Sequence, residues 1–112
     1  MSNEQDLEQI ELSIEQAKSH IDKMHSMQKL TTNPDFIKIM LEGYFEKEAS
    51  RLVLLKADSN MQTAENQLQI TKSIDAIGYV RQYFNVIMQF GRMSQSAMEN
   101  DQRTREELLA EG

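Results

Sequence analysis

The chain has 112 residues, with 12 Lys+Arg against 18 Asp+Glu, four glycines, one proline and no cysteine. That length bounds it to one domain, and the missing cysteines exclude a disulfide framework, a thiol nucleophile and a thiolate metal site. The net charge of −6 argues against nucleic-acid binding through a basic surface, and scarce Gly and Pro point to helix rather than a β-sandwich.

No apolar run reaches the roughly 18 residues of a membrane span, and no basic start leads into an apolar h-region. Neither a membrane segment nor a signal peptide is therefore expected.

The first expected element is a helix over about residues 4–30. Leu7, Ile10, Ile14, Ala17, Ile21 and Met24 recur at alternating spacings of three and four, the seam of a left-handed coiled coil. The next positions in register are Gln28 and Thr31, so the seam loses its apolar character there. So narrow a stripe needs a partner helix, from this chain or another copy.

Thr32-Asn33-Pro34-Asp35 then ends one helix and starts the next. Asn33 caps with its side-chain oxygen, Pro34 suits the first helical position, and Asp35 meets the positive end of the helix dipole.

The second helix is expected over about 34–57. Phe36, Ile37, Met40, Leu41, Tyr44, Phe45, Ala49, Leu52, Val53 and Leu55 form a face wide enough for more than one neighbour. Gly43 sits mid-helix at a cost of about 1 kcal/mol relative to Ala, usually accepted for close helix approach.

Asp58-Ser59-Asn60 reads as a turn and Thr63 as a cap. A third helix follows over about 63–108, roughly 70 Å long at the usual rise per residue. From Ile74 to Met93 its apolar residues point in nearly every direction, which calls for enclosure by neighbours. Two partners in one chain cover only part of it, so a homo-oligomer is expected. Beyond Met98 no apolar stripe remains, and 99–112 reads as an acidic, solvated or fraying extension, with Leu108, Leu109 and Ala110 as a possible anchor. The acidity is concentrated at the two chain ends: residues 1–35 sum to −4 and residues 99–112 to −3.

Little here suggests chemistry. His20 and His25 are five apart, not the His-x-x-x-His or Glu-x-x-His of a helical metal pair, and neither has a nucleophile context. Glu42 and Glu46 share a face but lack further ligands and read as a solvated surface. Gly43, Gly78 and Gly91 are isolated, so no phosphate loop is formed. No catalytic residue, metal site or cofactor is assigned. Arg81 and Arg92 are candidates for binding an anion, with pairing to Asp75 or Glu48 the simpler reading. Met40, Met61, Met88, Met93 and Met98 suit either core filling or an adaptable surface.

Asn33-Pro34-Asp35-Phe36, Gly43-Tyr44-Phe45, Ala49-Ser50-Arg51-Leu52-Val53, Ala76-Ile77-Gly78 and Arg81-Gln82-Tyr83-Phe84 together resemble a group of small helical proteins encoded by tailed bacteriophages. The resemblance covers about residues 33–93. It implies a virion or head-assembly protein and transfers no catalytic residue.

The expected protein is an all-α, non-enzymatic oligomer: a helical hairpin plus a long third helix in a coiled-coil-like bundle. Its expected partners are a phage structural protein or a host protein, without direct nucleic-acid or membrane binding, in the host cytoplasm or the virion. The alternatives are an inhibitor that sets acidic helices against a basic host or defence protein, and a binder of small anions at an oligomer interface. The expected oligomer interface is Leu7, Ile10, Ile14, Ile21, Tyr79, Tyr83, Val86 and Phe90. Tyr83 and Phe84 point about 100° apart. Phe84 is expected in the intrachain core, and Tyr83 at the interface.

Overall fold

The computed structural model describes residues 3–111. Gly112, the last position of the expected acidic extension, lies outside them, as do Met1 and Ser2. The fold is all-α, with no strand among the described residues. Helix α1 spans Asn3–Leu30 and α2 spans Pro34–Phe36. A π-helix follows over Ile37–Glu48, then α3 over Ala49–Lys56. A 3-10 turn at Ser59–Met61 leads into α4, Ala64–Glu111. The contacts cluster into two compact units, one of Met1–Met27 with Val86–Gly112 and one of Gln28–Asn85.

The first unit is an antiparallel helix pair. Along α1, Ile14, Ala17, Ile21, Met24 and Met27 are buried. The seam therefore ends on Met27 rather than passing to Gln28 and Thr31, because the last step is three residues instead of four. Leu7 and Ile10 are half-buried.

Among the buried and half-buried positions of α4 in this unit, which also include Val86, Ile87, Met88, Gln95 and Gln102, one row runs through Gly91, Ser94, Met98, Asp101, Arg105 and Leu108. They alternate spacings of three and four, as a coiled-coil seam does. Of the two forms expected beyond Met98, the chain takes the helical extension: α4 continues to Glu111 with most of these residues exposed, and on its covered side Met98 and Leu108 stand among the polar Ser94, Asp101 and Arg105. Ser13 Oγ donates a 2.7 Å hydrogen bond to Asp101 Oδ2. Leu108 is half-buried while Leu109 and Ala110 are exposed, so only the first of the three anchors the end.

Gly91 is buried against Met24, the most deeply buried large side chain. A Cβ built on Gly91 would fall inside 3.0 Å of Met24 Cβ, Cγ and Sδ. The helices approach closely here because one of them has no side chain. Gly91, isolated in the sequence, is thus a position where α4 has no room for a side chain.

In the second unit, α2 starts as its residues dictate. Asn33 is extended (φ −78°, ψ 122°), and its Oδ1 accepts from the backbone N–H of Asp35 at 2.9 Å and of Phe36 at 3.1 Å. Pro34 occupies the first helical turn. Asn33→Ala should cost about 1 kcal/mol of stability. A urea titration followed by circular dichroism checks this; an unchanged midpoint would mean water replaces the cap without loss.

The turn between α3 and α4 is tied by amides. Asp58 Oδ1 accepts from Asn60 N–H at 2.8 Å, and Thr63 Oγ1 accepts from Asn66 N–H at 3.1 Å. The Gln62 and Gln67 side-chain amides both donate to the Lys56 carbonyl at 2.9 Å. Two glutamines thus satisfy a carbonyl that the end of α3 leaves without a helical partner. Neither glutamine stood out in the sequence, because glutamine is an ordinary helix-surface residue.

Leu52, Ile70 and Ile77 are the buried apolar residues of this unit. An aromatic cluster extends them, with the Phe84 ring 5.9 Å from that of Phe36 and 5.5 Å from that of Phe45. Phe84 thus packs within the chain, as expected.

Candidate functional site

The most distinctive surface lies in the second unit, where the π-helix faces α4. Ile39, Met40, Gly43, Tyr44 and Glu48 from the π-helix and Val80 from α4 line an open groove of about 500 Å³. It is walled by apolar side chains and carries one carboxylate.

The winding of the π-helix decides which residues share this groove. Bonding from i to i+5 gives roughly 4.4 residues per turn instead of the 3.6 of an α-helix. Ile39 and Glu48 are nine residues apart, close to two whole turns of π-helix. In an α-helix the same two would stand about two and a half turns apart, on opposite sides. The wider winding therefore brings them to one face.

Gly43 permits it. A Cβ there would lie 2.8 Å from the backbone oxygen of Lys38, five residues earlier in the same helix. The expectation that Gly43 serves an approach between helices is corrected: the close neighbour is its own backbone. The sequence held the glycine but no periodic signal for the π winding, since apolar spacings of three and four fit an α-helix equally well.

Glu48 Oε1 accepts from Arg51 Nε in an ion pair on the groove's rim. Expecting Glu48 as a mate for Arg81 or Arg92 is corrected accordingly. An i,i+3 partner on the same helical run is held close by local geometry, whereas Arg81 and Arg92 reach it only by tertiary placement. Both of those arginines are exposed, and neither lines the groove.

The second unit leaves many large apolar side chains exposed. Ile39 is 66% exposed, Tyr79 68% and Tyr83 52%. Leu30, Val53, Leu54 and Leu68 are exposed on the same unit. Only three apolar side chains of this unit are buried, against these seven that are not. An antiparallel helix pair has two faces and no third layer, so it leaves such side chains uncovered.

The charge is divided unequally. Residues 28–85 carry seven acids and seven bases and are neutral, while the first unit carries eleven acids and five bases, the whole net charge of −6.

The expected interface residues separate along the same line. Ile14 and Ile21 are buried within the first unit, so they are corrected from interface to intrachain core: α4 already covers the seam of α1. Leu7, Ile10 and Val86 are half-buried. The Phe90 ring meets the imidazole of His20 edge-on at 5.6 Å. Tyr79 and Tyr83, one α-helical turn apart, remain outward.

His20 and His25 are both exposed on α1, and Glu42 and Glu46 are exposed on the π-helix. Among the described residues no group of three or more His, Cys, Asp or Glu is placed to hold a metal ion. No helix among them is long and apolar enough to cross a membrane. Of the methionines singled out from sequence, Met40 lines the groove, Met93 is exposed, and Met61, Met88 and Met98 are half-buried. Comparison with known protein families, with curated proteins and with solved structures yields no match.

Proposed function

We propose that this chain is a non-enzymatic helical protein–protein interaction module that serves tailed-phage particle assembly, or is itself a minor virion protein. The observation that carries the interaction reading is the number of large apolar side chains that the second unit leaves exposed, seven, beside an open apolar-walled groove on a charge-balanced body. Large apolar side chains left exposed in such number point to a surface that another protein covers. The phage setting rests on the resemblance of residues 33–93.

A photo-reactive amino acid at Leu54, which is 74% exposed, tests the reading during infection. A cross-link to a portal or capsid protein is the expected result. Absence of any cross-link to a particle protein would overturn the assembly role.

A second reading is favoured by the charge division. The first unit carries the entire net charge of −6 and suits a basic host or defence protein. That reading expects the cross-link from an acidic position such as Glu8 or Glu107, to one host protein, and expects the capture to weaken steeply with salt.

A further inference from the structure

We propose that residues 3–13, the opening turns of α1, form a salt-sensitive strap on the end of α4: at low ionic strength they part from residues 94–111, and added salt closes them. The rest of the pair, from Ile14 to Met27, stays docked. The proposal does not rest on what the second unit binds.

The pair is packed unequally along its length. Ile14, Ala17, Ile21, Met24 and Met27 are buried, and Met24 lies against Gly91, where no side chain fits. Toward the start of α1 the cover thins, and Leu7 and Ile10 are only half-buried. An open cavity of about 430 Å³ is lined there by Asp6, Ile10 and Ser13 from α1 and by Asp101, Thr104 and Leu108 from α4. Arg105, on the same stretch of α4, has its Nε buried without a hydrogen-bond partner. A buried donor left unpaired costs stability. The hydrogen bond from Ser13 to Asp101 lies where water competes, and adds little. Local opening starts where buried apolar contact is sparse.

Like charge is concentrated on this same end. Residues 3–13 carry four acids and no base, and residues 94–111 carry five acids and two bases. The remainder of the unit carries two acids and three bases. Glu4, Glu8, Glu11 and Glu15 are exposed and follow one another at spacings of four, three and four, where like charges destabilise a helix. Helix α4 has no base in its last turn, and Glu106, Glu107 and Glu111 crowd the negative end of its dipole.

Packed helices stand roughly 8–10 Å apart. The two acidic segments therefore repel across the pair in dilute salt, and concentrated salt removes that repulsion. Apolar burial is unaffected by this screening, so the buried stretch of α1 holds while its start moves. Parting bares Leu7, Ile10 and Leu108. The strap thus sets how much apolar surface this unit presents.

Amide hydrogen exchange of the full chain tests the proposal at about 20 mM and about 500 mM NaCl, between which the screening length falls from roughly 20 Å to about 4 Å. Exchange rates are taken against an unstructured peptide of the same sequence in the same salt. Protection of residues 7–13 should rise by about tenfold relative to that of residues 21–27.

A double variant, Glu106→Gln with Glu107→Gln, removes charge from exposed positions of α4 alone. In the low-salt buffer it should raise the relative protection of residues 7–13 by about threefold or more. A helix start that frays on its own does not respond to charges on the other helix. Three results would overturn the strap: protection of residues 7–13 that salt leaves unchanged, an equal rise at residues 21–27, or a double variant whose α1 exchanges as the parent's does.

Discussion

Replacing Gly91 by alanine should lower the folding stability by about 2–3 kcal/mol, the upper part of the range for overpacking a filled core. The new methyl would fall inside 3.0 Å of three Met24 atoms. One of those atoms is Met24 Cβ, which is fixed to the backbone of α1 and cannot swing aside as a side-chain end does. Relief therefore requires the helices to separate, which uncovers Ile21 and Met27 as well. The gain of up to about 1 kcal/mol from a better helix former does not offset this.

Gly78 supplies the comparison. A Cβ there meets nothing within 4 Å. Gly78→Ala should accordingly raise stability by up to about 1 kcal/mol. Thermal melts of the two variants, one substitution type on one helix, should move in opposite directions. A shift in the same direction would show that Gly91 is tolerated rather than required.

Phe84→Ala should cost about 2–3 kcal/mol. Full burial would put the loss nearer 3–5, but Phe84 is half-buried. Its contribution comes from two tilted ring contacts, to Phe36 and Phe45, that tie the start of α2 and the π-helix to α4. Tyr83 adjoins the cluster at 6.3 Å from Phe84 but stands 52% exposed. Tyr83→Ala should therefore cost about 1 kcal/mol or less, as an exposed position does. Chemical denaturation of both variants decides the order. Equal losses would mean that the cluster is held through Tyr83 as much as through Phe84.

Much of the architecture was legible because it rests on local signals. Asn33-Pro34-Asp35 marks a helix start by hydrogen-bond chemistry within four residues, and the cap forms as read. Thr63 and Asp58 punctuate the next turn for the same reason. The seam from Ile14 to Met24 is buried because its period matches a helix stripe. The partner stripe on α4 escaped notice for a physical reason too. At Gly91, Ser94, Asp101 and Arg105 the seam positions are small or polar, and a reading built on apolar spacing cannot see them.

The groove divides along the same boundary between local and tertiary information. Composition and periodicity were enough to determine an all-α chain, its helix boundaries to within a few residues, and an excess of apolar surface on the long helix. Only the tertiary structure decided which part of that surface is spent. Pairing α1 with the end of α4 took Ile14 and Ile21 into the chain's own core, while Tyr79 and Tyr83 stayed outside. The π winding then brought Ile39, Gly43 and Glu48 to one face. Whether a helix bonds i to i+4 or i to i+5 depends on small differences in backbone packing that residue spacing does not encode. That choice of hydrogen-bond partner, repeated over twelve residues, is what turns an apolar helix into one wall of a groove.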